Sequence, residues 1–186
     1  MMVSPEYGGG GMDTVSYVLA MEEISKVDAS CSVIMSVNNS LVCWGLEQYG
    51  TEEQKRKYLP RLASGEIIGA FCLSEPEAGS DATMQRTTAE DMGDHYLING
   101  TKNWITNGSS ASVYIVIAQT NPELKHRGIN AIIVERDTPG FVIGPKENKL
   151  GIRGSDTHSL MFTDVKVPKE NRIGDDGFGF KFAMQV

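Results

Sequence analysis

Two short stretches carry residue types at a spacing that could do chemistry. Residues 71 to 81 read FCLSEPEAGSD, a strand-like apolar run followed by Ser74, Glu75, Glu77, Ser80 and Asp81 around Gly79. Main-chain donors and acceptors at Phe71 to Ser74, then a turn at Gly79 and Ser80, suit one edge of a flat heterocycle and its phosphates. Glycine admits close backbone approach, and hydroxyl and amide groups bind an anion without a cation. Taken alone, the same stretch reads first as a surface turn closed by local Asx and Ser bonds. Residues 99 to 108, NGTKNWITNG, put Trp104 and Thr106 two apart, so strict strand alternation sets an indole beside a hydroxyl on one face. That pairing suits a stacked ring system, although a strand tryptophan reads first as core.

The composition narrows the classes. The chain has 186 residues, long enough to bury a core, with 24 acidic against 17 basic side chains and a formal charge of -7. Such a balance argues against non-specific nucleic-acid binding, which needs a basic surface; Lys125 with Arg127 is too small a cluster. Cys31, Cys43 and Cys72 form no CxxC pair and sit among apolar neighbours, as small packing residues of a reducing compartment do. His95, His126 and His158 are too scattered for a metal site, and none is expected. No apolar window reaches membrane length, and MMVSPEYGGGG lacks a basic-then-apolar leader, so the default location is cytoplasmic.

The elements that must position these residues fall into two zones. From Asp13 to Val27, Val15, Val18, Met21, Ile24 and Val27 recur every three residues behind an Asp13 N-cap, predicting an amphipathic helix. ASCSVIMSVNNSLVCWGLEQYG predicts a buried helix closing at Gly50, and TEEQKRKYLPRLASG a third, opened by a Thr51/Gln54 capping box and closed by Gly65. Then IIGAFCLS, DHYLI, KNWIT, SVYIVIAQ, INAIIVE, GFVIG and HSLMFTDVKV predict strands of an antiparallel sheet or barrel. Asn99-Gly100 reads as a two-residue hairpin turn. In HSLMFTDVKVP the apolar phase changes between Phe162 and Val165, predicting a slip near Thr163-Asp164.

PEYGGGGMD, SEPEAGSD, NGTKNWITNG, KLGIRGSDTHSLMFTDVKVP and GFGFKFAMQ, in that order and spacing, resemble the acyl-CoA dehydrogenases over essentially the whole chain, and short-chain or butyryl-type members in particular. The resemblance implies an α+β chain. Residues 1–66 would be a partial N-terminal helical domain, 67–173 a middle β-domain of barrel or sandwich type binding FAD and acyl-CoA, and 174–186 the start of a C-terminal helical domain. It implies α,β-dehydrogenation of an acyl-CoA thioester, with electrons passed to an electron-transfer flavoprotein, in a homotetramer.

Carried over by motif, Phe71, Leu73 and Ser74 lie along the flavin and Gly79 and Ser80 at the FAD pyrophosphate. Ser80 also lies where CoA passes, and Trp104, Ile105 and Thr106 form a second flavin-contacting run. Ser74 stands where many members have threonine, and Glu77 where many have glycine. Asp81, Arg153 and Asp156 match the pattern but read as structural. The family's catalytic glutamate belongs to the C-terminal domain and matches none of Glu47, Glu75, Glu77 or Glu90. The chain therefore reads as a fragment expected to bind FAD poorly and not to turn over. A non-catalytic β-module and an acyl-CoA oxidase are the alternatives.

Overall fold

The computed structural model describes residues 1–186. Its helical layer begins with α1 (Thr14–Val27), whose first turn is capped as expected, the Asp13 carboxylate accepting from Ser16 N at 2.8 Å. The apolar stripe of α1 is only partly covered, however: Met21 and Ile24 are half-buried and Tyr17 is fully buried, while Val15, Val18 and Val27 stay exposed, the helix packing chiefly on α2 (Ala29–Ser36). A π-helical stretch, Val37–Cys43, joins α2 to α3 (Trp44–Tyr49).

This continuous run, Ala29–Tyr49, is 21 residues long with a mean hydropathy of 1.2. It is thus long and apolar enough to span a bilayer, contrary to the sequence expectation. Here Val42, Cys43 and Leu46 are buried in the core beside the sheet, and the run carries the amides Asn38 and Asn39. Cys31, expected to pack, is exposed. α4 (Glu52–Ser64) has the predicted capping box, with Gln54 N donating to Thr51 Oγ1 at 3.2 Å and Thr51 N to Gln54 Oε1 at 3.0 Å, and ends on a left-handed Gly65.

Eight strands follow: β1 (Gly69–Cys72), β2 (Thr88–Asp91), β3 (His95–Thr106), β4 (Val113–Gln119), β5 (Ile129–Glu135), β6 (Phe141–Lys146), β7 (Thr157–Pro168) and β8 (Arg172–Ile173). They form one sheet in the order β6-β7-β3-β2-β4-β5-β8, with β1 on β4, and a last helix, α5 (Gly179–Gln185), packs on β5. The expectation of a barrel is corrected: β6 and β8 end the order without pairing to each other, so the sheet stays open. Nor is it wholly antiparallel, since β1 and β2 both run parallel to β4.

The central strands are covered on both faces, which explains why β4 and β5 read as unbroken apolar runs. Val113, Ile115 and Ile117 join Leu46, Leu59, Leu62 and Phe182 in a helix-side core. Tyr114, Val116 and Ala118 join Tyr96, Ile98, Leu160 and Phe162 in a second core that the curled sheet encloses.

The Asn99-Gly100 hairpin is also corrected. β3 runs straight through it, and Gly100 adopts φ 147°, where a Cβ would meet Thr87. The pair marks a register slip instead: Ile98 faces Val165 and Gly100 faces Phe162, so β7 holds one extra residue. That residue lies where the phase change predicted, with Asp164 at φ 51°. Its main-chain N–H donates to Asn99 Oδ1 at 2.8 Å, and Asn99 Nδ2 donates back to Asp164 Oδ1 at 3.1 Å.

Candidate flavin-facing site

β1 delivers the first candidate stretch. Phe71 is half-buried, its ring centroid 6.4 Å from that of Phe182, and Leu73 and Ser74 follow at the strand's end, half-buried. Cys72 between them faces the core, and burial pushes its thiol up to about 12, so it is no nucleophile at neutral pH. The chain then turns sharply. Glu75 N donates to Ala78 O at 2.9 Å and Ala78 N to Glu75 O at 3.2 Å, leaving Pro76 and Glu77 at an exposed tip.

Gly79 and Ser80 come next, both exposed. Their N–H groups have no acceptor within the chain, and a Cβ at Gly79 would meet nothing within 4 Å. Asp81 is spent locally, accepting from Thr83 N at 3.0 Å and Thr83 Oγ1 at 2.6 Å.

β3 delivers the second stretch. Alternation breaks between Lys102 and Ile105, while Trp104, Ile105 and Thr106 still run out, in, out, so that the indole and the hydroxyl share a face. Trp104 adopts φ 60°, and three residue steps on β3, Lys102 to Ile105, face two on β7, Leu160 to His158. The bulge re-aims the side chains: Lys102 and Ile105 both go inward, while Trp104 is 61% exposed, against the core reading, and Thr106 is half-buried. Neither Ser74 Oγ nor Thr106 Oγ1 is engaged by another group of the chain.

The two stretches are joined by contacts that the sequence did not single out. Asn103 N donates to Ser74 O at 2.7 Å. Lys102, 0% exposed, donates from Nζ to Leu73 O at 3.0 Å, Glu75 Oε1 at 2.7 Å and Gln85 Oε1 at 3.2 Å. The Glu75 carboxylate, 4% exposed, also accepts from Arg86 N at 2.5 Å and Thr87 N at 3.1 Å. Burial pushes the Glu75 carboxyl up, but the Lys102 charge and these hydrogen bonds outweigh it and hold the group below its ordinary value. For Lys102 burial wins, and its ammonium is held below the usual lysine range despite Glu75.

Behind Thr106, the turn into β4 is fixed by Asp156. It accepts from Ser109 N at 2.6 Å, Ser109 Oγ at 2.8 Å and Ser110 Oγ at 3.0 Å. Burial raises this carboxyl too, but the serine donors outweigh it and leave it lowered. Asp156 is thus neither solvated nor in a Lys or Arg ion pair but buried, holding this turn through serine donors. A cleft of about 750 Å3 lies elsewhere, between α4 and the segment after β7, lined by Thr51, Gln54, Tyr58, Lys166, Asn171 and Arg172. It shares no residue with either stretch, and pairs such as Lys57–Glu135 at 2.9 Å take up the charges at its rim.

The N-terminal-domain model of the acyl-CoA dehydrogenases matches residues 1–66, and their middle-domain model matches residues 70–165. The chain belongs to the acyl-CoA dehydrogenase family. An acyl-CoA dehydrogenase of Bacillus subtilis is 50% identical over 98% of the chain and 48% of its own length. The human mitochondrial short-chain specific acyl-CoA dehydrogenase is 50% identical over 100% and 45%. Among solved structures, butyryl-CoA dehydrogenase from Megasphaera elsdenii superposes with TM-score 0.95 at 47% identity, covering 98% of this chain and 49% of that one. The acyl-CoA dehydrogenase of Bacillus anthracis, solved in complex with FAD, gives TM-score 0.91 at 40% identity, covering 98% and 31%. The chain thus spans about half the length of the curated relatives it matches.

The Bacillus anthracis relative is complexed with FAD, and on this chain an exposed indole next to the Asn103–Ser74 contact, together with unengaged amides at Gly79 and Ser80, fits a planar ring with a phosphate tail. The cytoplasmic default is corrected, because relatives 50% and 48% identical across this whole chain, in human and mouse, are mitochondrial. A missing leader in the first residues carries no information about compartment.

Proposed function

We propose that residues 1–186 form the helical flank and the flavin-facing wall of an FAD-dependent oxidoreductase that dehydrogenates a short-chain acyl-CoA thioester to the trans-2-enoyl-CoA. Its electrons pass to an electron-transfer flavoprotein. The observation that carries this reading is the Trp104 indole, held outward by a left-handed bulge directly beside the end of β1. An apolar plane left in water at an ordered, strained position suits a stacked ring better than a surface turn.

When bound, FAD supplies the hydride acceptor. In this reading Phe71, Leu73 and Ser74 lie along the ring and the Ser74 hydroxyl bonds it. Gly79 and Ser80 offer their amides to the pyrophosphate, and Ser80 also borders the path of the CoA. Trp104 covers the ring face, Ile105 anchors the bulge in the core, and Thr106 bonds the ring's reactive edge. Glu75 is no base, because its carboxylate is taken up by Lys102. The proton-abstracting glutamate is proposed to lie outside residues 1–186. The helices of 1–66, the β-domain of 67–173 and the segment 174–186 are proposed as parts of an enzyme that assembles as a homotetramer. The short-chain preference is supported by relatives such as the short-chain specific enzyme of Clostridium acetobutylicum, 50% identical over 98% of the chain.

The test is to express the complete reading frame and look for flavin absorbance in the purified protein and for butyryl-CoA-dependent dye reduction. Full-length protein that shows neither removes the reading. Residues 1–186 alone are expected to hold flavin poorly and to reduce no dye; stoichiometric flavin with turnover would place a base within them after all. An oxidase is the second reading, favoured by likeness to the prolyl acyl carrier protein oxidase AnaB (TM-score 0.93, 33% identity). Substrate-dependent oxygen consumption, set against reduction of an electron-transfer flavoprotein, separates the two.

A further inference from the structure

We propose that Lys102 is the positioning residue of this wall: its buried ammonium sets the 73–87 loop against the Trp104 bulge, so that the ring-contacting edge is already formed before a ligand arrives. The proposal rests on reading residues 71–81 and 104–106 as an FAD site. An ammonium has three donors, and Lys102 spends them on three separate points of one loop: the strand end at Leu73 O, the turn at Glu75 Oε1 and the return at Gln85 Oε1. Glu75 passes the constraint on by accepting from Arg86 N and Thr87 N, so that the loop is tied at both ends. One residue beyond Lys102, Asn103 N holds Ser74 O, and the next residue is Trp104.

Fold stability alone would not require this arrangement. A buried ion pair is seldom better than two well-packed apolar side chains of similar volume, although removing one partner is costly. What apolar side chains lack is direction. They cannot hold the Leu73 carbonyl, or the Arg86 and Thr87 amides, at fixed angles. The ion pair and an apolar replacement should therefore differ in loop geometry and ligand affinity more than in melting temperature.

The test uses the protein from its complete reading frame with Lys102→Met, Glu75→Met, the double variant and Gln85→Leu. Three quantities are read: melting temperature, amide hydrogen exchange at residues 73–87 of the apoprotein, and FAD affinity by titration. Each single Met variant should melt lower, and the double should return close to the wild type. Even so, in the double variant the Arg86 and Thr87 amides should exchange about tenfold faster or more, and the FAD Kd should rise by at least about tenfold. A double variant of wild-type melting temperature that keeps both amide protection and FAD affinity overturns the proposal. If the Met variants do not fold, Gln85→Leu, which removes one acceptor and leaves the pair, should still loosen the loop, and unchanged exchange there overturns the proposal equally. If no form binds FAD, the functional reading fails, while exchange at Arg86 and Thr87 still decides whether Lys102 positions the loop.

Discussion

β4 and the far end of β3 solve opposite problems within one sheet. β4 pairs with β5 through seven consecutive registered residues, from Val113 opposite Glu135 to Gln119 opposite Ile129, and buries both of its faces. β3 slips register twice against β7, buries a lysine and exposes a tryptophan. The regular strand has little left over to offer a ligand, since Val113 to Ala118 are all spent on one of the two cores and Gln119 donates to Lys125 O. The irregular one gives up pairing, and in return its side chains point where alternation would not send them. Regular pairing and re-aimed, exposed side chains are thus separated by strand rather than mixed.

That separation can be broken from either side. Ile115→Ala, which empties a site in the helix-side core, should cost about 2–5 kcal/mol in chemical denaturation and leave the geometry of the 73–81 loop intact. Asp156→Ala removes the acceptor for four donors of the Ser109-Ser110 turn and should cost about 1–3 kcal/mol, read as a lowered melting temperature.

Acid probes Glu75 and Asp156 along with other lowered carboxyls, Glu135 at the end of β5 included. Glu75 and Asp156 are both held below their ordinary values, so in the folded chain they stay charged where the unfolded chain has begun to take up protons. Their stabilisation is complete above the unfolded carboxylate range and is lost as pH falls through it to the lowered folded values. Melting temperature should therefore fall steeply on acidification. Asp156→Asn should flatten that dependence, and an unchanged slope would remove Asp156 from the account. Thr51→Ala, which breaks the capping box of α4, should cost about 1 kcal/mol. Trp104→Ala should cost least, within about 0.5 kcal/mol, because the indole is exposed, yet it should abolish flavin retention by the full-length protein. A flavin-replete Trp104→Ala protein would return the indole to an ordinary surface role.

What the sequence made legible was mainly local. Asp13, the Thr51/Gln54 box and Gly65 act within one helical turn, and each was readable from its neighbours. The Asp164 slip was readable because Leu160, Phe162, Val165 and Val167 all had to face one core. The family motifs placed the β1 end and the 104–106 run together, but not the reason they meet. Lys102 and Glu75 are 27 residues apart, and neither type announces a partner at that distance. Asn99-Gly100 misled because a left-handed hairpin turn and a bulge select the same residues; only the clasp with Asp164, 65 residues on, distinguishes them. Barrel closure was equally out of reach, being decided by which strands end the order. β2, reading TAED, lacks the apolar alternation that marks a strand and is held by pairing with β3.

Asn38 has a consequence for how the chain comes apart. From the π-helical stretch its amide donates to Leu62 O, in the last turn of α4, at 3.2 Å, and accepts from Gly69 N, at the start of β1, at 2.9 Å. Gly69 lies so close that a Cβ there would stand 2.5 Å from a Val42 methyl. One side chain therefore bolts the end of a helix and the beginning of the sheet to the same point. The two zones are not independent folding units joined by a linker. Heat or denaturant should melt helices and strands in a single cooperative transition, with coincident far-ultraviolet and tyrosine signals. Asn38 is the position where substitution should first pull those two curves apart.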